Sequence, residues 1–283
     1  MRRKITTALL VLLLLNIIFA FPVSAHELWI QVDKEDSELK VEVLWGHIRD
    51  FLDNADHNDY QLFVRFPQGK VEELPLEGVG VQARAYLTPG EEGQYVFWAE
   101  RVPSTFTPGG GVPTLSVQQA KTVFQVGEGP GTAETPAGML LEIVPDTDLQ
   151  AFSTGTFAGQ VFLQDKAAAG ANISAYGPGG ETITVQTGQD GSFSISLDNP
   201  GLWLVKANVT SDEEGTLGQV QYEAVSRTAT LVFASQDPQG SVGAGNPSGG
   251  SSSNSTGVLF IVFISGLLLG AAGTFFLKKP ASR

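Results

Sequence analysis

Short runs of alternating apolar and polar residues fill residues 26–235, and no stretch of this region has a helical period. Leu28, Ile30 and Val32 begin the pattern. A period of two is typical of strands with one buried face, and turn residues separate the runs about every eight to twelve residues. The spacing predicts an all-β fold of two Ig-like or transthyretin-like β-sandwich domains, at 26–148 and 149–235.

Glycine and proline mark the predicted breaks between strands. The run of three glycines in 107–113 predicts a mobile loop, and a second Gly/Pro-rich break covers 126–138. Asp190 and Gly191 form a dipeptide that favours a two-residue hairpin turn. The chain contains no phosphate loop, no nucleotide-binding glycine fingerprint and no nucleophile elbow. None of the common nucleotide or hydrolase motifs is therefore present.

The amino-terminal 25 residues have the pattern of a secretory signal peptide. Three basic residues precede a long apolar run, and small residues end the segment at Ala25. Cleavage after Ala25 would make His26 the first residue of the mature chain. Residues 26–235 are therefore expected outside the cytoplasm.

The carboxyl-terminal end predicts a membrane anchor. Residues 236–256 are rich in Gly, Ser, Asn and Pro, which is typical of a flexible linker. Residues 257–277 carry no charge and would span about 30 Å as a helix, the thickness of a bilayer. Basic residues follow in the tail 278–283, so the positive-inside rule predicts a type I single-pass protein with a cytoplasmic tail.

The charge and the cysteine count exclude several functions. The chain has 30 acidic and 17 basic residues, a formal net charge of −13. Each of the two ends contributes three basic residues and no acid, so the exported region holds eleven basic against 30 acidic residues, a charge of −19. This balance argues against nucleic-acid binding and favours the attraction of cations to the protein surface. Because the chain has no cysteine, disulfides, thiolate metal sites and cysteine nucleophiles are excluded.

The three histidines of the chain, His26, His47 and His57, lie close together near the predicted mature amino terminus. Cleavage after Ala25 would leave a free α-amine on His26, and this amine and the imidazole can close a six-membered chelate ring on one metal ion. Nitrogen ligands of this kind favour Cu²⁺ and Ni²⁺ over Mg²⁺ or Ca²⁺. The alternative is that the predicted cleavage point precedes a histidine by chance.

The strand pattern predicts that two of the histidines meet. His26 has the same parity as Leu28, and His47 has the same parity as Val43, so each imidazole would extend the inward face of its strand. Gly46 permits a bend between the second strand and His47. We therefore expect the rings of His26 and His47 at one end of a sandwich.

His57 lies in a segment that is dense in carboxylates, between Asp50 and Asp59. It is a candidate third metal ligand or a group that supports the ligands. The alternative is an exposed histidine in a solvated acidic loop. The acidic positions do not match an EF-hand calcium loop.

Four segments resemble a family of extracytoplasmic, membrane-anchored proteins of unknown function that is associated with nickel and cobalt uptake. This family includes the accessory K subunit of energy-coupling-factor nickel transporters. The segments follow one another in the same order as that family's motifs. They are Ala25-His-Glu-Leu-Trp29, Trp45-Gly-His47, Gly138-Met-Leu-Leu-Glu-Ile-Val-Pro145 and the hairpins from Gly191 to Trp203. The last segment is similar to a transthyretin-like, carboxypeptidase-regulatory-like sandwich.

The resemblance implies capture of a divalent transition metal outside the cell and delivery to the subunits of a membrane uptake transporter. Ni²⁺ is the expected ion, Co²⁺ the second, and His26 and His47 match family positions. The protein would then be a carrier rather than an enzyme.

Two other functions fit the same residues. An amino-terminal histidine brace would suit a copper oxygenase or a copper carrier, because it needs the same chelate and a second histidine. A metal-free adhesion or spacer module on the cell surface would explain the sandwiches, the linker and the anchor without any ion.

Overall fold

Strands form throughout the part of the chain that the structure, a computed structural model, describes: residues 26–54, 56–129 and 131–235. This part contains no α-helix, only a three-residue 3₁₀ turn at His57–Asp59. The predicted all-β class is therefore confirmed. The predicted signal peptide, linker, membrane helix and tail lie outside the described residues. Among the described residues, no helix is long and apolar enough to cross a membrane.

The described residues form twenty strands. The first ten are β1 (Glu27–Glu35), β2 (Glu38–His47), β3 (Phe51–Leu52), β4 (Tyr60–Arg65), β5 (Val71–Leu74), β6 (Glu77–Val79), β7 (Gln82–Leu87), β8 (Gly93–Arg101), β9 (Ser104–Phe106) and β10 (Thr114–Val126). The second ten are β11 (Leu141–Pro145), β12 (Gly155–Leu163), β13 (Lys166–Ala167), β14 (Asn172–Tyr176), β15 (Thr182–Gln186), β16 (Ser192–Leu197), β17 (Gly201–Ser211), β18 (Gly215–Leu217), β19 (Val220–Tyr222) and β20 (Ala224–Ser235).

These strands form three larger sheets and one small hairpin. The first sheet has the order β1-β2-β7-β6, with β3 also paired to β2. The central sheet has nine strands in the order β15-β14-β17-β20-β10-β8-β4-β5, with β9 also paired to β10. The third sheet contains β11, β12, β13 and β16, and β18 pairs with β19 alone. Within the described chain, β10 and β20 are the parallel pair and the other pairings are antiparallel.

Two hydrophobic cores lie on opposite faces of the central sheet. Ala120 of β10 belongs to the core under the first sheet, whereas the next residue, Lys121, reaches Glu142 of β11 in the third sheet. Successive side chains of a strand point to opposite faces, so the first and third sheets cover the two sides of β10. The apolar positions that predicted the strands fill both cores, for example Leu28 in one and Leu231 in the other.

The central sheet joins the two halves of the sequence. β10 from the first half pairs with β20 from the second half over nine residues, from Thr114 opposite Ala224 to Thr122 opposite Val232. All described residues belong to one compact unit. The boundary between 148 and 149 stays a prediction.

The predicted turn at Asp190 and Gly191 is present, but the strands on its two sides do not pair with each other. β15 before this turn pairs with β14 in the central sheet, whereas β16 after it pairs with β12 in the third sheet. The turn is closed locally by a bond of 3.0 Å from the Gly191 N–H to the Gly188 carbonyl oxygen. It therefore carries the chain from one sheet to another rather than between paired strands.

Candidate metal site

The first sheet brings His26 and His47 together. β1 and β2 pair with Glu27 opposite Gly46 and Leu28 opposite Trp45, so His26 precedes β1 where His47 ends β2. The two imidazole rings lie edge to face, with centroids 4.4 Å apart and planes at 77°. The structure thus places these two predicted ligands side by side.

A tight return of the chain after β2 fixes His47. β3 pairs back onto the end of β2, with His47 opposite Phe51 and Gly46 opposite Leu52. The rings of His47 and Phe51 stack with centroids 4.6 Å apart. Within the described chain, the imidazole of His47 has no hydrogen-bond partner, so both of its nitrogens are available to a ligand.

Gly46 allows the chain to turn back after β2 because it has no side chain, and the backbone here leaves no room for one. Its φ of +152° lies in the region that L-residues rarely adopt, and a Cβ there would overlap the carbonyl oxygen of Phe51. We expect Gly46→Ala to lower the free energy of unfolding by about 1–3 kcal/mol. Urea denaturation measures the change, with Gly69→Ala as the control, since Gly69 also has positive φ but open space around it. Equal losses in both variants would contradict the steric role of Gly46.

Asp53 orients the imidazole of His26. Its carboxylate oxygen Oδ2 contacts His26 Nε2, and its own N–H donates to the Trp45 carbonyl oxygen at 2.8 Å. With Nε2 engaged by the carboxylate, Nδ1 is the ring nitrogen left for a ligand. Nδ1 is also the nitrogen that forms a six-membered chelate ring with the α-amine of the same residue. A carboxylate bound to the second imidazole nitrogen is common among metal-ligating histidines.

Trp45 and Arg101 support the other side of His26. The Trp45 ring stacks on the imidazole with centroids 5.4 Å apart, and Arg101 Cζ lies 4.4 Å from the Trp45 ring centroid. Arg101 itself donates to Ser104 Oγ at 3.0 Å and lies 3.8 Å from an Asp59 oxygen. Arg101 thus contacts the indole ring that stacks on His26, and Asp59 lies near its guanidinium.

The main chain next to His26 is fixed from the central sheet. Gln118 Nε2 of β10 lies 3.4 Å from the His26 carbonyl oxygen, and Glu27 forms an ion pair of 2.7 Å with Lys206 of β17. Burial acts to lower the pKa of Lys206, but the Glu27 carboxylate and the Tyr176 side chain together outweigh burial and raise that pKa. The ion pair is thus retained over the neutral range, and it anchors the start of β1.

Arg49 connects the turn after His47 to the second half of the chain. It has a positive φ of 73° and donates to the carbonyl oxygens of Gly177 and Gly180, each at 2.7 Å, and of Glu181 at 2.5 Å. Its guanidinium also lies 5.3 Å from the Tyr176 ring centroid. These contacts attach the turn that follows His47 to the connection between β14 and β15.

His57 lies apart from the pair. Its Nδ1 is 3.6 Å from an Asp56 oxygen, and its ring covers Gly78 of β6. Hydrogen bonds from the main chain and side chain of Asn58 lower the pKa of Asp56. Across the described ranges, His57 has no ring contact or hydrogen bond with His26 or His47, and no three His, Asp or Glu side chains converge on a common metal position. The structure brings together two of the three predicted histidines.

The paired imidazoles are accessible to solvent. The side chain of His26 is 36% exposed and that of Asp53 is 47% exposed. Phe51, beside His47, is 52% exposed. An ion can therefore reach the two rings from the surface.

A family model described as a domain of unknown function, DUF4198, matches residues 23–211. The match includes the whole candidate site and indicates no enzyme family. No curated protein matches the sequence.

Several solved β-rich structures match the fold at low similarity. A tetra-tandem repeat from the extending region of a large adhesion protein is 15% identical, with a TM-score of 0.23, over 73% of this chain and 49% of that one. A bacterial ice-binding adhesin is 12% identical, with a TM-score of 0.22, over 75% of this chain and 64% of the adhesin chain. Two fibronectin type III domains of chicken tenascin are 14% identical, with a TM-score of 0.18, over 70% of this chain and 95% of the tenascin chain. The chain thus spans about half to two thirds of the length of the adhesin chains, and scores this low support no argument about function.

Proposed function

The chain belongs to the DUF4198 family, a domain of unknown function, and we propose that its exported region captures a divalent transition-metal ion at His26 and His47. Ni²⁺ is the proposed ion and Co²⁺ the second. The observation that carries the proposal is the 4.4 Å separation of the two imidazole rings, which the pairing of β1 with β2 imposes.

The proposed ligands are three nitrogens: the α-amine and Nδ1 of His26 and one ring nitrogen of His47. The first two close a chelate ring on one residue, and the third comes from the neighbouring strand. Asp53 supports this set because it engages Nε2 of His26 and leaves Nδ1 free. Two imidazoles alone would be a weak site, so the proposal depends on the amine that cleavage after Ala25 would create.

The charge of the exported region suits a carrier of cations. Its formal charge of −19 raises the local concentration of divalent ions near the surface. Nitrogen ligands then select transition metals over Mg²⁺ and Ca²⁺. Because Cu²⁺ binds such ligands more tightly than Ni²⁺, it belongs in every comparison of ions, and a copper site is the main competing proposal.

Delivery to a membrane transporter is the proposed role of the captured ion. The resemblance to nickel-uptake accessory subunits supports this partner, and the proposed anchor at 257–277 would hold the protein at the same membrane, with residues 26–235 outside the cell. The ion would pass to the transporter by ligand exchange. Protons compete for the same nitrogens, so acid should release the ion.

Alanine variants test the ligand set in the fragment 26–240, which contains all of the described residues. We expect His47→Ala to weaken Ni²⁺ binding at least about tenfold, or about 1.4 kcal/mol, because one of three ligands is lost. His57→Ala is the matched control and should leave the affinity unchanged. Calorimetric titration with Ni²⁺, Co²⁺ and Cu²⁺ measures both. Equal affinities for the unmodified, His47→Ala and His57→Ala fragments would contradict the site.

A further inference from the structure

Gln118 lies on β10 against the main chain of His26, and one of its two polar atoms has no hydrogen-bond partner among the described residues. The amide nitrogen Nε2 lies 3.4 Å from the His26 carbonyl oxygen and 3.2 Å from Ser116 Oγ. A carbonyl oxygen only accepts hydrogen bonds, so the atom that faces it is the amide nitrogen. The other atom, Oε1, is buried and has no hydrogen-bond donor among the described residues.

The unpaired oxygen belongs to a side chain that is only 6% exposed. A buried acceptor without a donor destabilises the folded state, and such groups in folded proteins call for an explanation. The main-chain nitrogen of His26 is on the same residue as the carbonyl that Gln118 already contacts. Cleavage after Ala25 would turn this nitrogen into an amine, which has N–H groups to donate even when its lone pair binds a metal.

We propose that Gln118 positions the α-amine of His26 for metal binding, with Oε1 accepting from the amine while Nε2 donates to the His26 carbonyl oxygen. This inference rests on the proposed function. One rigid amide then holds both main-chain groups of His26, which aims the amine and Nδ1 at the same ion. Gln118 is uncharged, so it orients the amine without the negative charge that would favour the protonated form. It is a positioning residue and not a ligand.

The neighbouring glutamine provides a matched control. Gln119 is as buried as Gln118, at 3% exposure, but it points to the other face of the central sheet, where it accepts from the Leu141 N–H and donates to Glu100. Exchange of either glutamine for methionine keeps the approximate size and removes the polar atoms. Only the exchange at Gln118 alters the surroundings of the amine.

Titration of the fragment 26–240 with Ni²⁺ separates these roles. We expect Gln118→Met to weaken binding about tenfold or more, as is typical when a group that supports a metal ligand is lost, and Gln119→Met to leave the affinity unchanged. The visible absorption of the Cu²⁺-loaded Gln118→Met fragment should shift toward that of a fragment with one extra residue before His26, because in both the His26 nitrogen no longer binds the ion as an aligned amine. Gln118→Thr, which suits a strand but is too short to reach His26, repeats the test if the methionine variant does not fold.

The outcomes distinguish this inference from the site itself. If the unmodified fragment binds Ni²⁺ and the Gln118 variants bind it with the same affinity and spectrum, the positioning role is overturned and the proposed site stands. Equal losses at Gln118 and Gln119 would also overturn it, since they would reflect general destabilisation. If the unmodified fragment does not bind, the proposed function fails and the role of Gln118 fails with it.

Discussion

Glu142→Ala is expected to lower the free energy of unfolding by about 3–5 kcal/mol, because it leaves the ammonium of Lys121 buried without a partner. The two side chains form an ion pair of 2.7 Å and are 1% and 2% exposed. Burial lowers the pKa of Lys121, and Glu142 is the group that opposes this effect. Loss of Glu142 therefore leaves a buried cation or forces it to lose its proton.

Glu142 also holds the segment before β11. Its carboxylate oxygens accept from the main-chain N–H groups of Ala137, Gly138 and Met139 at 2.8, 3.0 and 3.3 Å. These donors would lose their partner in the alanine variant, which adds to the cost of the unpaired lysine. The effect should thus exceed that of any exposed ion pair in the described chain.

Urea denaturation of the fragment 26–240 measures this loss. Glu213→Ala is the control, because Glu213 pairs with Arg227 at 2.8 Å but is 50% exposed, and surface pairs contribute about 0–1 kcal/mol. The double variant Lys121→Met/Glu142→Ala should recover part of the stability, since the unpaired charge is gone. Losses of similar size in Glu142→Ala and Glu213→Ala would show that the buried pair has no special role.

One extra residue before His26 is expected to weaken Ni²⁺ binding about 100-fold, or about 2.7 kcal/mol. The addition converts the α-amine into an amide nitrogen, which has no available lone pair at neutral pH. The chelate ring on His26 is then lost, although both imidazoles remain. Calorimetric titration of the fragment 26–240 with and without the extra residue measures the difference.

An added residue at the other end of the same fragment is the control, because it leaves the amine free. The thermal unfolding of the extended and unextended fragments should agree in the absence of metal, since His26 precedes β1 and the extension enters no strand. Undiminished Ni²⁺ affinity in the extended fragment would remove the amine from the ligand set.

The alternating pattern predicted most of the strands because each has one buried face. β1, β4 and β16 follow it closely: Leu28, Leu62 and Phe193 are buried at positions that their spacing indicates. The pairing of His26 with His47 was equally predictable. Both lie on the inward parity of neighbouring strands, and the register of β1 with β2 places them side by side.

β10 does not follow the alternating pattern, although it is the longest strand of the described chain. The first and third sheets cover its two faces, so its side chains do not alternate between apolar and polar. Buried Gln118, Gln119 and Lys121 interrupt the pattern, and each is stabilised by a specific contact with another part of the chain. Local sequence cannot show such contacts, because their partners lie outside β10.

The supporting residues of the site were missed for the same reason. Asp53 lies in an acidic segment without a feature that separates it from its neighbours, and nothing in the sequence links Arg101 to the histidines. Only the turn after β2, shaped by Gly46, places Asp53 on His26. His57 shared that acidic segment, but the 3₁₀ turn places it over Gly78.

Anomalous diffraction from crystals of the fragment 26–240 soaked in Ni²⁺, measured at the nickel absorption edge, tests the central claim most directly. The predicted result is one strong peak within about 2.0–2.2 Å of the His26 α-amine, His26 Nδ1 and a His47 ring nitrogen, the usual range for a bond between a transition metal and nitrogen. A fully occupied peak elsewhere, or none at these histidines, would contradict the metal site.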